Sequence, residues 1–187
     1  MIVFCGIPGS GKTTIARILC GKMRGAVHIQ TDTIRRMIAR PNYSAPESAF
    51  VYESCVQVAR EALRRGRPVI LDGTFARSAH RARAVRALSG LYGRHILVHV
   101  VCSMDTAKRR NSSREEIVPE ERLRGIYASF EQPTAALQVD SQAWSAEENA
   151  AIISTALTHG TTLCVRCGQM LRPTDMLCPR CGQQASI

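Results

Sequence analysis

Residues 6–13 read Gly-Ile-Pro-Gly-Ser-Gly-Lys-Thr and follow directly on the apolar run Met1–Cys5. That order of glycines, lysine and hydroxyl is a device for gripping a triphosphate. Glycines tolerate positive φ, so the backbone can wrap its N–H groups around phosphate oxygens. Lys12 is spaced to reach the β- and γ-phosphates, and the Thr13 hydroxyl to reach Mg²⁺. The helix that follows points its positive end at the anion. Gly9, Ser10, Gly11, Lys12, Thr13 and Thr14 are therefore the nucleotide-binding candidates, with ATP and Mg²⁺ as the expected ligands.

A second set of residues fits phosphoryl transfer to a hydroxyl. Asp32, in Thr31-Asp32-Thr33-Ile34-Arg35-Arg36, lies just past the second apolar segment. A carboxylate at that edge of a sheet can take the proton of an acceptor hydroxyl; the competing role is a helix N-cap. Arg35 lies one helical turn further and can face the same cleft to bind an anionic acceptor group. Arg109, Arg110 and Arg114 cluster after the fourth apolar segment. Arg110 and Arg114, four apart, could close on the phosphates as a lid; the alternative is a solvated basic helix face. The segment Leu71-Asp72-Gly73-Thr74 has no glutamate after its aspartate to polarise an attacking water, which favours transfer to a bound hydroxyl over hydrolysis.

These residues must be positioned by alternating elements. Strands are expected at 1–5, 26–30, 68–72, 95–102 and 137–140. Helices are expected at 11–23, 32–40, 47–65, 77–89, 104–113, 119–131 and 145–158. Val69-Ile70-Leu71 and Ile96–Val101 are apolar on both faces, as buried parallel strands are. Helices between strands imply a doubly wound α/β fold with a five-stranded parallel sheet. Val51, Cys55, Ala59, Ala62 and Leu63 repeat at helical spacing, and Ser145 with Glu148 forms a capping box.

The order of these motifs, with Phe130-Glu131-Gln132-Pro133 after the arginines, resembles the P-loop kinases grouped with the 5′-kinase domain of polynucleotide kinases. Asn111-x-x-Arg114, Val118-Pro119 and the Phe-Glu-x-Pro segment are also similar to the seryl-tRNA kinases of the selenocysteine pathway. The resemblance covers residues 1–158. It implies Asp32 as general base, Arg35 as a ligand of the acceptor or its phosphate, and Arg110 or Arg114 on the ATP phosphates. It implies for Asp72 a place in holding magnesium or positioning the acceptor.

The last segment has a different character. After a short linker, 159–163, Cys164-Val-Arg-Cys167 and Cys178-Pro-Arg-Cys181 form two C-x₂-C knuckles with ten residues between them. Two knuckles can give a tetrahedral S₄ site for Zn²⁺, with every position filled by protein and so structural rather than catalytic; a redox pair or another metal is the alternative. Residues 164–187 are thus expected to be a zinc ribbon, serving either to staple a segment too small to bury a core or to contact nucleic acid. Cys5, Cys20, Cys55 and Cys102 sit in apolar patterns and are expected in the core.

Composition bounds the function. The 187 residues carry 25 Lys and Arg against 15 Asp and Glu, a net charge of +10, and all but three of those cations are arginine. Such a chain attracts polyanions through counterion release. No apolar run approaches the ~20 residues of a bilayer span, and the first strand leaves no room for a leader, so a cytoplasmic location is expected. The sequence thus points to an ATP-dependent kinase acting on a hydroxyl, with RNA, tRNA or a polynucleotide end as favoured acceptor. A small-molecule hydroxyl, or an ATP-dependent adaptor without catalysis, remains open.

Overall fold

The computed structural model describes residues 1–114, 117–134, 136–159, 162–163 and 170–171. Five strands, β1 (Ile2–Cys5), β2 (Val27–Gln30), β3 (Val69–Asp72), β4 (Ile96–Val101) and β5 (Leu137–Asp140), form one parallel sheet in the order β2-β3-β1-β4-β5. The central strands β1 and β3 are buried along their whole length. That is why they read as unbroken apolar runs rather than alternating ones.

Alternation along β1 divides the core in two. Val3 and Cys5 face α3 (Ala45–Arg64) and α4 (Ser78–Ala87), where Val51, Cys55, Ala59, Leu71 and Leu88 pack. Ile2 and Phe4 face α1 (Lys12–Lys22) and α7 (Ala146–His159), where Ile15, Leu19 and Ile153 pack. Each such fully buried side chain stabilises the fold by roughly 1.5–3 kcal/mol. Three shorter helices complete the sheet's carboxyl edge: α2 (Thr31–Arg36), α5 (Met104–Asn111) and α6 (Glu120–Ala128).

The helix boundaries have local causes. Ser44 caps α3 by accepting from Glu47 N at 3.3 Å, and Ser103 caps α5 through Thr106 N. Both halves of the Ser145–Glu148 capping box form, at 3.1 and 2.8 Å. Two helices are shorter than expected. The one anticipated over 32–40 stops at Arg36, because Arg40 turns left-handed (φ +64°) just before Pro41, where an αR residue would clash with the ring. The one anticipated over 119–131 stops at Ala128, because Phe130 leaves to stack on His99.

Beyond α7, Thr162–Leu163, expected to be linker, is strand β6 and pairs antiparallel with β7 (Met170–Leu171). Cys164, Cys167, Cys178 and Cys181 lie outside the described residues. Of the other cysteines, Cys5 and Cys55 are buried as expected, whereas Cys20 and Cys102 are only half-buried. Among the described residues no helix is long and apolar enough to cross a membrane.

Candidate active site

The phosphate loop lies between β1 and α1. Gly6, Gly9 and Gly11 have φ of +146°, +81° and +93°. Space as well as φ requires glycine. A Cβ on Gly9 would stand 2.4 Å from the Ala107 carbonyl of α5, and one on Gly6 2.4 Å from that of Val100. The first turn of α1 has no side-chain cap, so its N–H groups are available to an anion. Lys12 is buried, 8% exposed, and its ammonium folds back on the loop, donating to Ile7 O at 2.8 Å and Ser10 Oγ at 3.4 Å. Burial lowers its pKa, opposed by the carboxylates of Asp72 and Asp32 and assisted by Arg114. A buried cation in a ring of amides is the donor set a polyphosphate needs.

Those electrostatic partners place four charges around one cleft. Asp32 is at the second position of α2's first turn; the N-cap is Gln30, and no side chain caps the helix. The capping role open to Asp32 is therefore not the one it has. Its carboxylate accepts instead from Arg114 Nη2 at 3.2 Å, with the Asp32 side chain 54% exposed. Asp72 ends β3, opposite Gln30 in the sheet register, and is 3% exposed. Its Oδ2 lies 3.1 Å from His28 Nε2, and His28 Nδ1 lies 3.4 Å from Gln30 Nε2. Sequence reading missed His28, because nothing in the chain announces that β2 and β3 are neighbours.

The arginines after β4 diverge. Arg109 is exposed and turns back to Thr106 Oγ1. Arg110 donates to Ser141 Oγ at 2.7 Å and Ser141 O at 2.8 Å, and its Nη1 lies 3.7 Å from where a Cβ of Gly11 would be. It therefore sits over the phosphate loop, while Arg114, beyond the end of α5, reaches to the β2 side. The loop between α5 and α6 is clipped at two points, Asn111 Nδ2 donating to Val118 O at 2.7 Å and Val118 N to Asn111 Oδ1 at 3.1 Å.

Arg35 is already engaged. It pairs with Glu47 of α3 and donates to Ser48 Oγ. Its guanidinium lies 4.6 Å from the Tyr43 ring centroid, with Arg122 of α6 3.5 Å from the same centroid. This stack joins the loop before α3 to α6.

The Phe-Glu-x-Pro segment has a positioning role that sequence spacing did not reveal. Phe130 stacks on His99 of β4 at 5.1 Å and 11°. Glu131 caps α4 from outside the helix, accepting from Ser78 N and Oγ at 2.7 and 2.6 Å and pairing with Arg77. These donors pull the Glu131 pKa down to about 2. Buried Arg81 donates to the carbonyls of Phe75, Ala76 and Glu131, tying the turn after β3 to the returning chain, whose Glu131 N also donates to Ala76 O.

A family model described as an AAA domain (AAA_33) matches residues 1–133. The chain belongs to this AAA domain family. The match spans the phosphate loop, both edge carboxylates, and helices α5 and α6 as far as Pro133. A relative is the L-seryl-tRNA(Sec) kinase of Methanococcus maripaludis, 23% identical over 137 residues, which are 71% of this chain and 53% of that protein. The chain thus spans about half the length of that curated relative. Among solved structures, APE1195 superposes with a TM-score of 0.70 at 21% identity, covering 84% of this chain and 94% of that one. The Mycobacterium tuberculosis APS kinase CysC, in complex with AMPPNP and APS, superposes with a TM-score of 0.66 at 18% identity, covering 83% and 96%. The AAA_33 core here is thus a P-loop kinase-like fold.

The donor chemistry fits the expected ligands. Mg²⁺ prefers hard oxygen ligands, takes one or two carboxylates, and keeps water and phosphate in its remaining positions. The Thr13 hydroxyl and the Asp72 carboxylate supply such oxygens beside the phosphate loop.

Proposed function

We propose that the chain is an ATP-dependent kinase that transfers the γ-phosphoryl group to a hydroxyl on a nucleic acid, an RNA or tRNA end in particular. The observation that carries this reading is the Asp32 carboxylate. It is half-exposed at the carboxyl edge of β2, close enough to perturb Lys12, and held by an arginine from the lid. In this reading the acceptor hydroxyl gives its proton to Asp32 as its oxygen bonds to the γ-phosphorus. The bond from that phosphorus to the bridging oxygen breaks, and ADP leaves with the electron pair. Lys12, the loop amides and Arg110 balance the charge on the phosphates. Arg114 releases Asp32 when the acceptor enters and turns to the transferring group. Thr13 and Asp72 would hold Mg²⁺, which neutralises phosphate charge when bound. His28 fixes the Asp72 carboxylate. Arg35 binds an anionic group of the acceptor only by exchanging it for Glu47.

The net charge of +10 and the similarity to a seryl-tRNA(Sec) kinase support a nucleic-acid acceptor. A small-molecule hydroxyl is the second reading, favoured by the superposition on an APS kinase. The proposal includes a zinc ribbon at 164–187. Strands β6 and β7 flank the first C-x₂-C pair as a hairpin would. Metal analysis of the purified chain should give one zinc per molecule, lost in Cys178→Ala; a zinc-free, folded chain would remove the ribbon.

Incubation with γ-labelled ATP and either total RNA or a metabolite extract tests the function. Label in RNA is the expected result, and label confined to small molecules establishes the second reading. RNA or partner binding that needs Lys12 but not Asp32, with no transfer, would make the chain an adaptor.

A further inference from the structure

Arginine is not spread evenly over this molecule. Helix α7 carries Glu147 and Glu148 and no Lys or Arg. Helix α4 carries three arginines and no carboxylate. The second half of α3 and the turn after it add Arg60, Arg64, Arg65 and Arg67. Helix α1, on the α7 side, also carries three cations and no carboxylate, and it serves as the comparison for the α3–α4 side.

We propose that the outer face of α3 and α4 is a track for the sugar-phosphate backbone of an RNA acceptor; this rests on the nucleic-acid reading of the kinase above. Two contacts align the helices. Arg83 of α4 pairs with Glu53 of α3 at 2.7 Å, and Arg60 of α3 donates to Ala87 O at the end of α4 at 3.1 Å. Glu53, Gln57, Arg60 and Arg64, at three- and four-residue spacing, form one line on α3, so the whole line flanks α4.

Four cations lie along this face: Arg60, Arg64, Arg83 and Arg86. One has a carboxylate partner, Arg83 with Glu53. Four positive charges against one negative leave +3. Arg60 meets only neutral acceptors. Arg64 and Arg86 are exposed and have no partner among the described residues. Guanidinium groups free of carboxylates are the ones a phosphate can take without breaking an ion pair.

The cations lie toward the ends of α3 and α4 remote from the site, and α4 leads from the site to them. Helix α4 starts five residues after the Gly73 that follows Asp72, at the Glu131 cap, and its ten residues run about 15 Å from there. An acceptor whose end lies at Asp32 can continue down this face. The chemistry selects backbone over bases along the cation-bearing turns: α4 has no exposed aromatic ring, His80 is used against Tyr52 at 4.5 Å, and the exposed Phe50 of α3 lies ten residues before Arg60. It selects RNA over a lipid surface, because α4 exposes no large apolar side chain to insert and the exposed Val58 of α3 lies on another side of that helix from Arg60 and Arg64.

Binding of a fluorescein-labelled 20-nucleotide RNA to the full chain, followed by anisotropy from about 50 to 300 mM KCl, tests the track. In Arg64→Gln/Arg86→Gln the slope of log affinity against log salt should fall by about 2, one unit per lost phosphate contact. The melting temperature and ATP affinity should stay at wild type. Arg64→Lys/Arg86→Lys should keep the slope, as should Arg17→Gln/Lys22→Gln on the exposed side of α1. The track is overturned by an unchanged slope in the first variant, by an equal loss in the α1 control, or by a wild type that binds no RNA. It is also overturned by a wild type that binds phosphatidylserine–phosphatidylcholine vesicles in preference to RNA. Phosphorylation of the same RNA separates the two readings. Binding without phosphorylation removes the RNA kinase and leaves the track, whereas phosphorylation with an unchanged slope removes only the track.

Discussion

Acid should destabilise the P-loop domain through His99, and the size of the effect follows from its surroundings. The ring is 6% exposed, stacked on Phe130, and lies near the cations of Arg81 and Lys12. Burial first, and those cations second, pull its pKa from 6.5 down to about 4. The unfolded chain therefore binds a proton more readily than the folded one between those values, so stability falls as pH falls through that window. The full difference of 2.5 pH units corresponds to roughly 3 kcal/mol, of which about 2 kcal/mol is lost by pH 5. That loss is a large fraction of a typical domain's stability of about 5–15 kcal/mol. Urea unfolding at pH 7.5 and pH 5.0 measures it. Glu47, Glu131 and His80, whose pKa values are also lowered, contribute to the raw slope, so the informative quantity is the difference from His99→Phe. That variant keeps a ring against Phe130 and has no proton to gain. It should lose about 2 kcal/mol less than wild type over this pH interval. Equal losses in the two proteins would refute the reasoning.

Further outcomes follow from the loop and the lid. Gly9→Ala should weaken ATP binding at least about tenfold in calorimetry, since a left-handed alanine costs about 1–2 kcal/mol before its Cβ meets Ala107 O. Gly21→Ala, in α1 with open space where its Cβ would go, should instead raise stability by about 0.5–1 kcal/mol in urea melts. Asn111→Ala removes both bonds to Val118 and should cost about 1–3 kcal/mol. It should also make the connection between α5 and α6 the first site of limited proteolysis; an unchanged cleavage pattern would deny Asn111 its clip.

Much of the frame was legible because its signals are local. The glycines and Lys12 declare the phosphate loop within eight residues, and Val3, Leu71 and Val98 read as buried strand because both their faces are covered. The edges of helices were less legible. Pro41 was in plain view, but the expected helix ran up to its neighbour Arg40, which the proline keeps out of the helical region. Phe130 left α6 for a partner on β4 that only the fold supplies. The site shows the same division. Asp32 was legible from its place after β2. The pairing of Arg35 with Glu47 was not legible, because a loop rather than helical spacing brings Glu47 back. Arg110 and Arg114 looked equivalent at four-residue spacing, yet α5 ends at Asn111, so one sits over the phosphate loop and the other reaches Asp32. The His28–Asp72 pair and the Arg81 anchor depend on strand order and on a long return of the chain, which no local pattern encodes.

The central proposition is that Asp32 deprotonates an acceptor at a phosphate loop that binds ATP independently of it. Single-turnover phosphoryl transfer by Asp32→Asn, with ATP affinity measured on the same preparation, tests it most directly. The account predicts ATP affinity within about threefold of wild type and transfer slowed by at least about a hundredfold. Transfer at the wild-type rate by Asp32→Asn would contradict it.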